Sequence, residues 1–238
     1  MEKIFVGPRD RVFVLTGAGI SAESGLPTFR AEDGLWAGHN IEDVCTPGAW
    51  LKNPTLVWQF YSARREAGAL AEPNPAHRAL AELEDKLGDR FFLCTQNVDD
   101  LHERAGSKRV VHMHGELSKA RCELECGTPP IEDRKIYRTM EEVGLCACGG
   151  RLRPHIVFFG EIPLEMDHIQ EEIDNSTLMI VVGTSGSVYP AASFVYWAKM
   201  AGARTVYIGP ERPLNAVAFT HVVEGKAGEV LPGLFEVE

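Results

Sequence analysis

The feature that most constrains this chain is a recurrence. Short apolar runs, β-branched or aromatic, each stop abruptly at glycine or a polar cluster. Arg11 to Thr16 (RVFVLT) runs into GAGISAESG, Phe91 to Thr95 (FFLCT) into QNVDD, Val110 to Met113 (VVHM) into HGE, and Leu178 to Val182 (LMIVV) into GTSGS. Thr205 to Ile208 (TVYI) is a further run of the same kind. Runs this short and this apolar predict buried strands. Between them, His77 to Leu87 carries apolar residues at 80, 83 and 87, the helical spacing, and Pro190 to Met200 opens with proline at a first helical position. Strands alternating with helices predict a parallel α/β sheet covered on both faces. Ligands collect at the carboxyl ends of such strands, so the polar clusters are aimed at one rim.

Two insertions interrupt the pattern. Residues 31–73 hold a helical stretch, Pro54 to Ala69, and residues 116–153 hold a cysteine cluster with little periodicity. The expected division is a large α/β domain from 1–30, 74–115 and 154–238, a helical insertion at 31–73 and a metal module at 116–153. A chain of 238 residues is long enough for one substantial core with such a module. Its formal net charge of −10, with no dense basic run, argues against nucleic acid and suits a cationic polypeptide. The N-terminus lacks a continuous apolar signal region, and the longest apolar runs fall far short of a membrane span. A cytoplasmic protein without membrane contact is the expectation.

Each polar cluster admits a functional and a structural reading. Gly17, Ala18, Gly19 and Ala22 have the arrangement of a dinucleotide fingerprint with alanine for the third glycine; the alternative is a tight strand-to-helix turn. Gln96, Asn97 and Asp99 can bind an amide and ribose hydroxyls, or Asn97 or Asp99 can cap the following helix. His114 beside Gly115 is a candidate general base, or a hydrogen-bonded structural histidine, the role given to His112. Cys122-x3-Cys126 and Cys146-x1-Cys148, with 19 residues between the pairs, suit a closed tetrahedral zinc site that pins a loop-rich lobe. Cys94, within an apolar strand, reads as inert core, and Cys45 has no assigned role. Arg153 to Glu161 (RPHIVFFGE) is either a strand with an edge open to a peptide or one that reconnects the lobes.

Taken together, GAGISAESGLPTFR, TQNVDDLHERAG, VVHMHGEL, the paired cysteines, RPHIVFFGE, GTSGSVYPAA and GKAGEVLP resemble the sirtuin family in order, from about residue 11 to 233. The resemblance implies a Rossmann-like large domain and a smaller zinc-binding domain, with NAD and acyl-lysine meeting in the cleft between them. Gly17, Ala18, Gly19 and Ala22 would hold the pyrophosphate side. Phe29 and Arg30 would sit on a cofactor loop, and Gln96, Asn97, Val98 and Asp99 would face the nicotinamide and its ribose. Gly183, Thr184, Ser185, Gly209, Pro210, Glu211 and Ala227 would line the adenosine end. Val157, Phe158 and Gly160 would flank the acyl-lysine substrate, and Cys122, Cys126, Cys146 and Cys148 would hold one structural zinc. In the implied mechanism the acyl oxygen attacks the ribose carbon as nicotinamide leaves. His114, counted as catalytic together with Asn97, then removes a ribose hydroxyl proton. Lysine, nicotinamide and O-acyl-ADP-ribose are the implied products, so NAD is consumed.

Tyr61 and Arg64 in FYSARRE lie three apart and share a helix face. Leu56, Phe60, Ala63 and Ala67 form the neighbouring apolar face in this reading, leaving the pair free to point elsewhere. The pair resembles the Tyr-x-x-Arg of sirtuins that accept succinyl, malonyl or glutaryl lysine, in which a guanidinium binds the distal carboxylate. Thr28 departs from the Asp that many sirtuins carry in the Pro-Asp-Phe-Arg segment, and the cysteine spacings also depart from the common pattern. Competing readings are an NAD-dependent oxidoreductase, a mono-ADP-ribosyltransferase and a non-catalytic NAD sensor.

Overall fold

The computed structural model describes residues 3–28, 35–36 and 38–238. In chain order the elements begin with β1 (Ile4–Val6), β2 (Val12–Thr16), α1 (Ala18–Ser21), β3 (Leu35–Trp36), β4 (His39–Asn40), α2 (Ile41–Val44), α3 (Pro47–Lys52), α4 (Pro54–Leu70) and α5 (Pro75–Leu87). There follow β5 (Phe91–Thr95), α6 (Leu101–Ala105), β6 (Val110–His112), β7 (Gly115–Cys122), β8 (Ile131–Glu132) and β9 (Leu152–Ile156). The C-terminal part supplies α7 (Met166–Asp174), β10 (Leu178–Val182), α8 (Ala191–Met200), β11 (Arg204–Gly209), β12 (His221–Glu224), α9 (Ala227–Val230) and β13 (Phe235–Val237).

Six strands form one parallel sheet in the order β12-β11-β10-β2-β5-β6. Their two-residue period sends alternate side chains into two separate cores. Val12, Val14, Leu178, Ile180 and Val182 face a core closed by Leu80 and Leu83 of α5 and Val230 of α9. Phe13, Leu15, Met179 and Val181 face the other, closed by Ile169 of α7 and Phe194 of α8. Burial on both faces is why these strands read as continuous apolar runs rather than alternating ones. Each such side chain taken from water contributes about 1.5–3 kcal/mol.

Three helices open on the same signal, a capping side chain followed by proline. Thr46 Oγ1 accepts from Ala49 N, Asn53 Oδ1 from Leu56 N and Asn74 Oδ1 from Ala76 N, each before a proline at the first helical position. Asn74 N–H in turn donates to His77 Nδ1 at 3.3 Å, so histidine completes the reciprocal cap.

The second lobe is built from both insertions. Strands β8, β7 and β9 form an antiparallel sheet in that order, and its Leu117, Ala120 and Ile156 share a core with Val44, Trp50, Trp58 and Tyr61. Pro154 to Ile156, assigned to the large domain on sequence, belong to this sheet as the end of β9. Of the RPHIVFFGE segment, residues 153–156 lie in β9, which pairs with β7 and stands at the end of the sheet order among the described residues. The helix expectation at α4 holds in extent but not in facing. Its buried residues include Val57, Trp58, Phe60, Tyr61, Arg65 and Gly68, whereas Ala63 is exposed. Tyr61 points into the lobe's core, because large rings bury far more area than alanines and set which face turns inward. Among the described residues no helix is long and apolar enough to cross a membrane.

Candidate active site

Strand order reverses at β2: β5 and β6 lie to one side, β10 and β11 to the other. The crevice at such a switch point opens beyond the carboxyl ends of β2 and β10, where Gly17 and Gly183 stand. The two loops touch. Gly17 N donates to Val182 O at 3.0 Å and Gly19 N to Gly183 O at 2.8 Å. A Cβ on Gly17 would come 2.9 Å from Gly183 O, and one on Gly19 would come 2.7 Å from Gly183 Cα. These glycines are thus required by loop-on-loop packing, in addition to any role toward a pyrophosphate. The helix they open is a single turn, continued by a 3-10 turn over Ala22–Ser24 that Gly25 ends at φ +86°. Ala18 is half-buried and Ala22 exposed. Glu23 Oε1 accepts from Gly228 N at 2.8 Å, which draws the start of α9, with Ala227, to this rim. Thr184 and Ser185 follow Gly183, and Gly209 ends the adjacent strand β11 on the same side, with Pro210 and Glu211 after it.

The cluster after β5 closes the rim. Asn97 Nδ2 donates to Gly17 O at 3.2 Å and to Ser21 Oγ at 3.1 Å, and Ser21 Oγ donates to Asp99 Oδ2 at 3.2 Å. His77 Nε2 lies 3.4 Å from Ser21 Oγ; its Nδ1 accepts from Asn74 N, so the ring proton sits on the Ser21 side. Burial raises the Asp99 pKa, with the Leu101 N–H and Ser21 hydroxyl opposing the shift. Neither capping alternative is the N-cap of α6, which is Asp100; Asp99 Oδ1 accepts from Leu101 N at 3.2 Å from one position earlier, and Asn97 turns to the glycine loop. The Gln96 Nε2 group is buried and has no hydrogen-bond partner among the described residues. A buried amide donor of this kind fits a ligand carrying amide and hydroxyl oxygens, as a dinucleotide does.

His114 faces the same cluster from the turn after β6. Its Nδ1 lies 3.1 Å from Gln96 O. A carbonyl only accepts, so Nδ1 carries the proton and Nε2 is left bare, the tautomer a general base needs. Burial lowers the His114 pKa, partly offset by the Gln96 carbonyl. His114 O accepts from Val157 N at 2.9 Å, joining the base to the end of β9. There Glu161 gathers the segment: it accepts from Phe158 N at 2.8 Å, from Arg153 at 2.6 Å and from Arg121 at 3.0 Å. Phe158 is buried beneath Arg153, whose Cζ is 3.7 Å from the ring centroid, and its ring stacks 6.2 Å from that of Tyr61. Gly160 turns the chain at φ +91°. Tyr61 donates to Cys45 Sγ at 3.0 Å, which gives Cys45 a structural partner, and burial pushes that thiol up to about 11.

Neighbouring arginines of α4 differ sharply. Arg65 donates to Leu117 O at 2.7 Å, Lys135 O at 2.6 Å and Lys119 O at 3.3 Å, and pairs with Asp133 at 3.4 Å. Arg64 lies against the Phe60 ring, 4.9 Å to its centroid, and its Nε and Nη1 are buried without an acceptor among the described residues. Burial lowers the Arg64 pKa, opposed by the nearby Tyr61.

The four lobe cysteines converge. Their sulfurs all lie within 4.8 Å of one another, with Cys122 and Cys148 at 3.4 Å and Cys126 and Cys146 at 3.6 Å. Zinc bound tetrahedrally to four thiolates requires sulfur separations of about 3.8 Å, so the cluster fits a closed structural zinc. Cys126 Sγ also lies 3.2 Å from Thr128 Oγ1, and a bound metal would take all four cysteines as thiolates.

Comparison with known proteins decides the family. The Sir2 family model matches residues 17–190. An NAD-dependent protein deacylase from Caulobacter vibrioides is 51% identical over 229 residues, 95% of each chain. The chain belongs to the Sir2 family. Among solved structures, this Sir2 protein resembles a mutant Sir2 homologue bound to ADP-ribose, with a TM-score of 0.86 at 41% identity over 94% of this chain and 90% of that one. It also resembles a Sir2 homologue–NAD complex, with a TM-score of 0.85 at 42% identity over 94% and 88%. The Rossmann-like fold is thereby shown for this chain, and the four-cysteine cluster of its smaller lobe fits a structural zinc.

In this Sir2 protein the sequence-derived residues of the glycine loop, the Gln96–Asp99 cluster and His114 meet at one rim, while Tyr61 and Phe158 lie in the core of the second lobe. Phe29 and Arg30 lie outside the described residues. Ser21 and His77 escaped the sequence reading. Ser21 sits inside the quoted glycine-rich segment but gains meaning only through Asn97 and Asp99, which are distant in sequence. His77 sits in a plain amphipathic helix, and nothing local marks it.

Proposed function

We propose that this NAD-dependent protein deacylase removes succinyl and malonyl groups, and acetyl groups as a second activity, from protein lysine, yielding nicotinamide and O-acyl-ADP-ribose. One observation carries the acyl preference: Arg64 buries two guanidinium nitrogens without an acceptor while Arg65 beside it satisfies every direction it faces. A buried, unpaired guanidinium waits for an anion, and a carboxylate meets its fork geometry. Tyr61 lies close enough to act on the Arg64 charge; its hydroxyl, which donates to Cys45 Sγ in the free protein, would turn from that sulfur to donate to the same anion.

NAD supplies the electrophilic ribose carbon and nicotinamide as leaving group. Gln96, Asn97, Val98 and Asp99 orient the nicotinamide end, and Ser21 holds Asn97 and Asp99 in one arrangement. His114 Nε2, bare and buried, takes a ribose hydroxyl proton, while Gln96 O fixes the ring through Nδ1. Gly17, Ala18, Gly19 and Ala22 face the pyrophosphate. Gly183, Thr184, Ser185, Gly209, Pro210, Glu211 and Ala227 face the adenosine. Val157, Phe158 and Gly160, in the segment that follows β9, face the substrate peptide, with Glu161 holding that segment.

The test is mass spectrometry of matched succinyl-lysine and acetyl-lysine peptides, with and without NAD, on the parent and Arg64→Met. Selective loss of succinyl removal in Arg64→Met is expected. Equal effects on both acyl groups would remove the carboxylate reading.

A further inference from the structure

Residues 95 to 98 present four consecutive carbonyls, and the segment from 112 to 117 holds all of them. Thr95 O accepts from Met113 N at 3.1 Å and Val98 O from Leu117 N at 2.8 Å. The two carbonyls between are held by imidazoles: Gln96 O lies 3.1 Å from His114 Nδ1, and Asn97 O lies 3.0 Å from His112 Nδ1. His112 has a second partner, since its Nε2 is 2.8 Å from Glu103 Oε1. A carbonyl and a carboxylate only accept, so both ring nitrogens of His112 must donate. A neutral ring has one N–H and would lose one of the two bonds. We propose that His112 is a positioning residue for the deacylase reaction: as an imidazolium clamped by Glu103, it holds the Asn97 carbonyl and with it the loop that faces the nicotinamide. The inference rests on the reading that residues 96–99 face the nicotinamide.

The surroundings favour the charge. His112 sits in the wall of a cleft of about 720 Å³ that opens behind the loop. Carboxylates approach it from every packed element: Glu103 of α6, Glu116 of β7 and Asp99 of the loop. His102 of α6 is also close, but burial keeps its ring neutral. The arginines of the cleft have their own partners: Arg65 is held by Asp133, Arg104 by Glu72 and Arg134 by Asp100. Burial opposes the imidazolium, yet the hydrogen bond and charge of Glu103 outweigh it and hold the His112 pKa above the ordinary value of 6.5. His114 moves the opposite way. One of the two bonds is therefore lost as pH rises through the raised value, which opens the Glu103–His112–Asn97 clamp, whereas the base function of His114 fails only on the acid side.

Two measurements test this. Histidine side-chain ¹⁵N NMR, with His112 assigned by its absence in His112→Gln, should show both ring nitrogens protonated at pH 7; one bare nitrogen would overturn the proposal whatever the kinetics. In steady state, Glu103→Gln should raise KM for NAD about tenfold, the loss of one charge-assisted bond, with the effect on KM rather than kcat. It should also move the alkaline limb of kcat/KM toward neutral pH, and His112→Gln, which keeps a donor, should retain more NAD affinity than His112→Leu. Asn97→Ala separates the two failures. If it leaves KM for NAD unchanged, the loop reading falls; if it raises KM while Glu103→Gln does not move KM or the pH profile, the positioning role falls.

Discussion

Arg64 and Arg65 are adjacent, on one helix and both at least half-buried, yet replacing each by methionine should have opposite effects on stability. Arg65 is the more deeply placed, with a side chain 4% exposed. Methionine there keeps much of the packing over Trp58 but strips donors from three carbonyls and leaves Asp133 without its countercharge. Breaking a buried pair by removing one partner costs about 3–5 kcal/mol. For a chain of this size each kcal/mol moves Tm by about 2–4 °C, so Arg65→Met should melt roughly 6–20 °C below the parent. Arg64→Met removes two buried nitrogens that have no acceptor, and a buried unsatisfied donor carries a desolvation penalty of about 1–3 kcal/mol. The group is half-buried, so only the lower part of that range is recovered, and Tm should rise by about 2–4 °C. Differential scanning calorimetry of zinc-replete protein without NAD or peptide reads both. An Arg64→Met variant that melts as low as Arg65→Met would refute the claim that Arg64 stands unpaired in the free protein.

Three further outcomes follow from the same geometry. His114→Ala should lower kcat by about 10²–10⁴-fold while NAD binding by calorimetry persists; in the parent, the acid limb of activity should fall below pH 6.5, because burial lowers the His114 pKa. Cys148→Ser should lose its zinc by elemental analysis and expose the Trp50 and Trp58 core to solvent in fluorescence, while near-parent zinc content would contradict the four-thiolate site. Glu123 is held down to about 2 by Arg151, with help from Trp50 Nε1 at 3.0 Å. Its contribution to stability is present above the ordinary value of 4.5 and lost as pH falls toward 2, so the urea midpoint gap between parent and Glu123→Gln should close across that window.

The large sheet was legible because its strands are buried on both faces and its polar residues follow the strand ends. Five of the six parallel strands stand out as apolar runs; β12, with polar ends and half-buried centre, does not. The antiparallel lobe was hidden for a different reason. Its core joins Trp50, Trp58 and Tyr61 to Leu117, Ile156 and Phe158, so no local window shows the pattern. The facing of α4 was misread because Ala63 and Ala67 counted as apolar as fully as Phe60, whereas burial follows the rings. The site was legible as separate motifs, but the bonds that make it one site, from Ser21 to Asn97 and Asp99, span more than seventy residues.

The most direct test of the account is the mass of what NAD becomes. With a succinyl-lysine peptide, the account predicts free nicotinamide, unmodified lysine peptide and an ADP-ribose product heavier by the succinyl group, in matching amounts. Free succinate with NAD intact, NADH, or ADP-ribose left on the peptide would contradict it.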